Sequence, residues 1–153
     1  MNRIILAIVL LPMLVTGTGC ATFSAQKGDG AASAKVAAAQ KLMRESNYAQ
    51  AIAEFRKVIR EHPNTEWAGT AKYGIAMAWV SANNPQKDYA VAVAEFDEFL
   101  AQYPQDERIP EARSWRQALR VLLDTKKDND RLNKNIEQLK QLDVRQEEKR
   151  QVK

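Results

Sequence analysis

The sequence predicts an all-α protein, and three observations lead to this fold class. The 153-residue chain holds 23 alanines against 6 glycines and 5 prolines, and alanine favours helix whereas glycine and proline interrupt it. No glycine follows Gly74. A 17-residue segment with the apolar spacing of an amphipathic helix occurs twice, 41 residues apart. The composition, 45% apolar and 27% charged, fits one globular domain.

The N-terminus is typical of a secretory signal peptide. Arg3 supplies a positive charge, residues 4–15 form an apolar run interrupted only by Pro12, and residues 16–19 are small and polar. Twelve helical residues span about 18 Å, which is less than the ~30 Å core of a bilayer. We therefore predict that residues 1–19 are a removable leader. An uncleaved N-terminal anchor is the alternative.

Cys20, the only cysteine, directly follows this leader, so no internal disulfide can form. The arrangement resembles the bacterial lipoprotein signal, although Gly17 stands where the usual pattern has leucine. The resemblance implies a covalent lipid on Cys20 and no other cofactor. Because Ala21 is not acidic, it also implies sorting to the outer membrane, with the chain facing the periplasm. A soluble periplasmic protein with a free Cys20 is the alternative.

Residues 20–34 contain two glycines and few large apolar side chains. This composition predicts a lipid-anchored flexible tether. The tether would let the folded part of the chain stand off the lipid surface.

The two copies of the repeated segment are residues 47–63 and 88–104. Seven of the seventeen aligned positions are identical. In each copy the apolar residues follow i, i+3, i+4, i+7 spacing, so each copy is predicted to be an amphipathic helix that ends before its proline. The identical pairs are Tyr48/Tyr89, Ala49/Ala90, Ala51/Ala92, Ala53/Ala94, Glu54/Glu95, Phe55/Phe96 and Pro63/Pro104.

This spacing resembles the second helix of tetratricopeptide repeats, in which tyrosine, alanine, phenylalanine and proline recur at these intervals. The preceding segments fit the first helix of such a unit, where a small residue precedes a large one by three. The pairs are Ala39 with Leu42 and Ala76 with Trp79. The units are longer than usual and are similar to those of periplasmic lipoproteins such as the BamD component of the β-barrel assembly complex and the TolA-associated repeat proteins.

The resemblance implies a solenoid of helical hairpins over residues 35–123. It would hold about two units and a capping helix that begins at Pro110, since proline suits the first helical position. Two units are fewer than the three that a solenoid usually needs to be stable. The packing residues it implies are Ala39, Leu42, Tyr48, Ala51, Phe55, Pro63, Ala76, Trp79, Tyr89, Ala92, Phe96 and Pro104.

Residues 124–153 form a charged tail with nine basic and seven acidic side chains. Leu132, Ile136 and Leu139 are spaced four and three residues apart, as in a coiled coil, but Asn129 and Asp143 on either side are polar. A short coiled coil, a docking helix and a solvated extension of the third helix all fit this pattern. The sequence of this tail also resembles the charged helices of envelope lipoproteins encoded beside histidine kinases.

The residue types that carry catalysis are nearly absent from the chain. Its single histidine, His62, precedes the helix-ending Pro63, where a cation complements the end of a helix. No second histidine, no further cysteine and no glycine-rich phosphate loop accompanies it. The net charge is +4, but the basic residues are interleaved with acidic ones, so the charge pattern does not indicate a nucleic-acid partner. We therefore expect no enzyme, no metal and no small-molecule substrate.

Function is then expected to lie in a surface. In tetratricopeptide folds the first helices line a concave groove that receives a partner. Arg113, Arg116 and Arg120 of the capping helix are three and four residues apart. This basic stripe either binds carboxylates or is simply exposed to solvent. Tyr73 and Met77 fit the core equally well. The groove predicted here holds Gln40, Met43, Arg44, Tyr73, Met77, Val80, Arg113, Arg116 and Arg120.

Two functions follow from this sequence. The first is an outer-membrane lipoprotein that acts as a periplasmic scaffold, with envelope proteins as partners, in outer-membrane protein assembly or envelope integrity. The second is an accessory lipoprotein of a two-component sensor kinase, which would use the tail as its main contact.

We expect Cys20→Ala to abolish membrane attachment, because it removes the thiol that would carry the lipid. Fractionation of cells into soluble and membrane portions tests this. An alanine variant that still sediments with the membranes would contradict lipid anchoring at Cys20.

Overall fold

The computed structural model describes the backbone of residues 22–151 and the side chains of residues 30–151. The leader and Cys20 lie outside these residues. Within the described range the chain forms five helices and no strand, and none of these helices is both long and apolar enough to cross a bilayer. The helices are α1 (Thr22–Arg44), α2 (Tyr48–Glu61), α3 (Glu66–Val80), α4 (Tyr89–Gln102) and α5 (Ile109–Gln151).

Each helix packs against the next one in the chain, and α1 also contacts α3. Contact between the first helices of successive hairpins means that the hairpin α1–α2 stacks on the hairpin α3–α4. The first part of α5 covers α4. The predicted all-α fold of tetratricopeptide-like hairpins with a capping helix is confirmed.

The small residues predicted at the helix contacts are fully buried. Ala39, Ala51, Ala76 and Ala92 each have no exposed surface. Because an alanine side chain is a single methyl group, the helix backbones approach closely at these four points. Of the other predicted packing residues, Tyr48, Phe55 and Phe96 are buried, Leu42, Trp79 and Tyr89 are partly buried, and Pro63 and Pro104 are exposed just beyond their helices.

Helix α3 belongs to two hydrophobic clusters at once. Ala71, Ile75 and Ala78 pack with α1 and α2, whereas Ala76 packs with α4 and α5. Trp79 packs against both clusters. A helix that is apolar on all sides is a buried one, and α3 is the central helix of the bundle.

Gly74 allows α2 and α3 to meet closely. A Cβ atom at this position would lie 2.5 Å from Cζ of Phe55, and two more atoms of that ring would lie within 3.0 Å. The Phe55 ring is itself 1% exposed. The missing side chain of Gly74 therefore leaves the space that the Phe55 ring occupies.

Short polar motifs begin and end the helices. Ser46 has a positive φ of 61°, and the amides of Ser46 and Asn47 bond the carbonyls of Met43 and Leu42, which closes the end of α1. Asp88 caps α4 by accepting bonds from the amides of Ala90 (2.9 Å) and Val91 (3.1 Å). These motifs set where each hairpin turns.

An ion cluster around the buried Lys72 joins α3 to α4. Lys72 is 8% exposed, and its ammonium group donates to Glu95 at 2.6 Å and also to Glu98. Burial alone would lower the pKa of Lys72, but the two carboxylates outweigh it and raise the pKa above its usual value. The second repeat is thereby fixed by charge as well as by apolar contact.

The structure differs from the predicted tether at residues 22–34, which are helical and form the first half of α1. Ala32 is 1% exposed and Val36, one turn later, is 2% exposed. Lys35 also forms an ion pair with Glu61 of α2. The alanines that the composition argument took as linker residues are good helix formers, and Ala32 packs on the bundle.

The predicted boundary at residue 124 is not an end of secondary structure. Helix α5 continues for 43 residues without a break, and no glycine or proline occurs after Pro110 to interrupt it. Ion pairs one turn apart, such as Arg131–Asp128 at 3.1 Å, support it. Its last buried residue is Leu119, so the rest of the described helix extends into solvent.

We expect Gly74→Ala to destabilise the fold. The clash with Phe55 costs up to about 3 kcal/mol, which exceeds the ~1 kcal/mol that alanine gains in helix propensity. The free energy of unfolding in urea should fall by roughly 2 kcal/mol.

Gly30→Ala is the matched control, because Gly30 also lies in a helix and a Cβ atom there would meet nothing within 4 Å. This variant should be as stable as the unchanged chain or up to about 1 kcal/mol more stable. A Gly74→Ala variant that behaved like Gly30→Ala would contradict the close contact.

Candidate partner-binding groove

Two adjacent cavities lie along the first helices of the repeats. Residues of α1 and α3 line both of them, residues of α5 line one of them, and Met43 and Met77 belong to both. Because these helices are successive layers of the solenoid, the cavities form one groove on one side of the bundle. We call this surface the groove.

The first cavity is mainly apolar and measures about 490 Å³. Methionine side chains of α1 and α3 face aromatic and aliphatic residues of α5 across it. The flexible thioethers of methionine adapt to ligands of different shapes. Its lining is Met43, Met77, Val80, Ser81, Ala82, Tyr89, Trp115, Ala118, Leu119 and Leu122.

The second cavity is more polar and measures about 410 Å³. Two arginines, an amide and a phenol stand among apolar groups here. The lining consists of Gln40, Met43, Arg44, Phe55, Thr70, Tyr73, Gly74, Met77 and Arg108. Gly74 thus serves both the packing of Phe55 and the floor of the groove.

Arg108 is held in place by Asp106. The guanidinium donates to both carboxylate oxygens, at 2.7 Å from Nε and 2.6 Å from Nη2, and the amide of Arg108 bonds the same carboxylate at 2.9 Å. The guanidinium also lies 5.6 Å from the centre of the Tyr73 ring. The hydrogen bonds from Arg108 lower the pKa of Asp106.

Tyr73 presents a buried hydroxyl group that has no hydrogen-bond partner in the described part of the chain. Its ring packs edge to face on Phe96 and Phe99, with ring centres 5.9 and 5.6 Å apart. Burial, followed by the nearby Glu111 carboxylate, raises the pKa of Tyr73. The hydroxyl is therefore protonated at neutral pH and is a potential hydrogen-bond donor.

Six of the nine residues predicted for the groove line these cavities. They are Gln40, Met43, Arg44, Tyr73, Met77 and Val80. The structure brings them together from two repeats. Whether they contact a partner stays a prediction.

The three arginines of the predicted basic stripe lie elsewhere, and this part of the prediction is corrected. Arg116 and Arg120 form ion pairs with Asp97 of α4, at 3.1 and 2.6 Å. Arg113 is exposed and lines neither cavity. The side of α5 that carries Arg116 and Arg120 therefore faces Asp97 of α4.

Several groove residues were missed from the sequence. Arg108 stands in the loop before α5, and only the Asp106-x-Arg108 spacing hints at the bidentate pair. Trp115 and Leu122 were assigned to the cap helix without a place in the groove. The i, i+7 spacing of these two residues is the signal that puts both on one side of α5.

The described residues include no group of three or more histidine, cysteine, aspartate or glutamate side chains arranged to hold a metal ion. His62 is the C-terminal cap residue of α2, and its amide bonds the carbonyl of Val58 at 2.9 Å. Its carbonyl accepts a bond from the Thr65 hydroxyl at 2.8 Å.

Comparison with protein families gives a match to the family model described as "YfiO: Outer membrane lipoprotein", over residues 29–150. The chain belongs to the YfiO family. The match covers the five helices almost entirely, and it agrees with the sequence resemblance to bacterial repeat lipoproteins. None of the curated proteins and none of the solved structures compared with this YfiO-family chain matches it.

We expect Asp106→Asn to weaken the fold of this YfiO-family protein by about 1–3 kcal/mol at pH 7, because it breaks a charged hydrogen-bond pair. A lowered folded-state pKa stabilises the fold above the ordinary value of 3.8, and this contribution is lost as the pH falls through the folded-state pKa.

Urea unfolding at several pH values measures this effect. The difference between the variant and the unchanged chain should shrink once the carboxylate is protonated. Asp130→Asn, on the exposed part of α5, is the control and should change stability little at any pH. A constant difference from pH 7 down to full protonation would contradict the ionic contribution of Asp106.

Proposed function

We propose that this protein is a non-enzymatic scaffold at the outer membrane, anchored by a lipid on Cys20 and facing the periplasm. Its groove binds a segment of another envelope protein, in the assembly of outer-membrane proteins or in envelope integrity. Family membership supports the outer-membrane lipoprotein character. The recognition of a protein segment is inferred from the groove itself.

The observation that carries this proposal is the continuity of the groove across the repeats. An apolar cavity and a polar cavity share Met43 and Met77 and together run from α1 to α5. A site of this length suits an extended or helical segment better than a compact metabolite.

The two cavities define the chemistry of the segment. Trp115 and Leu122 offer an apolar surface for one or two large side chains. Arg44 is an exposed cation that lines the polar cavity, so this end of the groove suits a carboxylate. We infer a segment that combines apolar side chains with an acidic residue or a C-terminal carboxylate.

We expect Arg44→Glu to reduce capture of the partner by about tenfold or more, because a like charge opposes the carboxylate. Met43→Lys should act similarly, since it places a charge where the two cavities meet. The measurement is in-cell photo-crosslinking from position 40 of the full-length chain, followed by detergent extraction and mass spectrometry.

Arg60→Glu and Val91→Lys are matched controls, because both residues are exposed and line neither cavity. They make the same charge changes and should leave capture unchanged. Recovery of a β-barrel assembly or peptidoglycan-linked component that depends on Arg44 would support the scaffold function.

Deletion of residues 124–153 separates this function from the kinase-accessory alternative. The scaffold function expects the groove to retain its partner after the deletion. Recovery of a histidine kinase whose capture is lost with the tail, and not with Arg44→Glu, would overturn the scaffold proposal.

A further inference from the structure

The part of α5 that extends beyond the bundle carries an apolar stripe in solvent. Leu122 is 47% exposed, Leu132 53%, Ile136 50% and Leu139 61%. No other described helix covers Leu132, Ile136 or Leu139, whereas Leu122 also lines the groove. Large aliphatic residues in a row on one side of a helix mark a surface for another helix.

The stripe follows heptad spacing over three consecutive heptads. Leu122, Asn129 and Ile136 take the a positions, and Thr125, Leu132 and Leu139 take the d positions. In the last of these heptads the β-branched Ile136 at a is followed by Leu139 at d, a combination that favours two parallel strands. A single asparagine at an a position fixes the register and the number of strands.

Asn129 also indicates what kind of helix covers the stripe. Its amide would lose hydrogen bonds to water if an apolar residue covered it, and a buried unpaired amide is costly. In a parallel, in-register pair of identical helices, Asn129 meets Asn129, and each amide both donates and accepts. A second copy of this chain therefore satisfies the asparagine automatically.

The polar residues after the stripe argue for the same orientation. In a parallel pair Leu132, Ile136 and Leu139 each face the same residue of the second copy, and the apolar contact ends before Asp143. In an antiparallel pair centred on Ile136 and Leu139, Leu132 would face Asp143 of the other copy. That arrangement would bury a carboxylate against leucine.

The stripe is not used by the cap itself. Arg116 and Arg120 direct their side of α5 to Asp97 of α4, and Leu119 is the last residue buried in the bundle. We propose that residues 122–142 of α5 pair with the same residues of a second copy in a parallel, in-register two-stranded coiled coil. Leu122 also lines the groove, so only the layers from Thr125 onward are independent of the occupant of the groove.

Cysteine crosslinking tests the pairing in the full-length chain. In a Cys20→Ala background, which has no other cysteine, Thr125→Cys places a thiol at a d position and Lys127→Cys places one on the outer side. We expect Thr125→Cys to form disulfide-linked dimers at least about tenfold faster than Lys127→Cys. Equal rates, or no dimer, would overturn the proposal.

Mass measurements over a range of concentrations give a second test with the Cys20→Ala chain in detergent. Leu132→Glu combined with Leu139→Glu should weaken the dimer by about tenfold or more, whereas Lys134→Glu combined with Gln141→Glu, on the outer side, should not. Asn129→Leu should produce larger assemblies. A monomer at every concentration, or crosslinking of Thr125→Cys in cells to a different protein instead of itself, would overturn the second copy as the occupant.

Discussion

The rest of the structure depends on the double burial of α3. This helix meets α1 and α2 on one side and α4 and α5 on the other, so only the side that lines the groove is left open. Close approach on both sides requires small residues, and Ala76 and Gly74 provide them. The ring of Phe55 enters the space above Gly74, while Lys72, the one charged residue buried in α3, is neutralised by two carboxylates of α4.

The groove is a by-product of this packing. Once small residues draw the first helices of the repeats together, their remaining side chains converge on one surface, and the methionines of α1 and α3 stand side by side there. The Asp106–Arg108 pair then closes the polar cavity from the loop before α5. Packing and recognition therefore share residues, since Gly74 contributes to both.

The fold could be predicted from the sequence because the same residue types occupy the same packing positions in both repeats. Ala51 and Ala92, or Phe55 and Phe96, occupy equivalent positions, and each pair is buried. The same alignment of the two repeats also predicted most of the residues that line the groove. The arginine stripe did not, because spacing along α5 cannot reveal that Asp97 of another helix faces it. The length of α1 was also missed, since a composition rich in alanine and glycine suits a linker as well as a helix until Ala32 finds a packing surface.

The continuity of α5 has a mechanical consequence. From residue 120 to residue 151 the helix rises about 48 Å along its axis, at 1.5 Å per residue. A single unbroken helix is stiff over this distance, unlike a glycine-rich linker, whose ends wander. The far end of α5 is therefore held at a set distance and direction from the groove. A rotation of the bundle also moves whatever is attached near the tip of this helix.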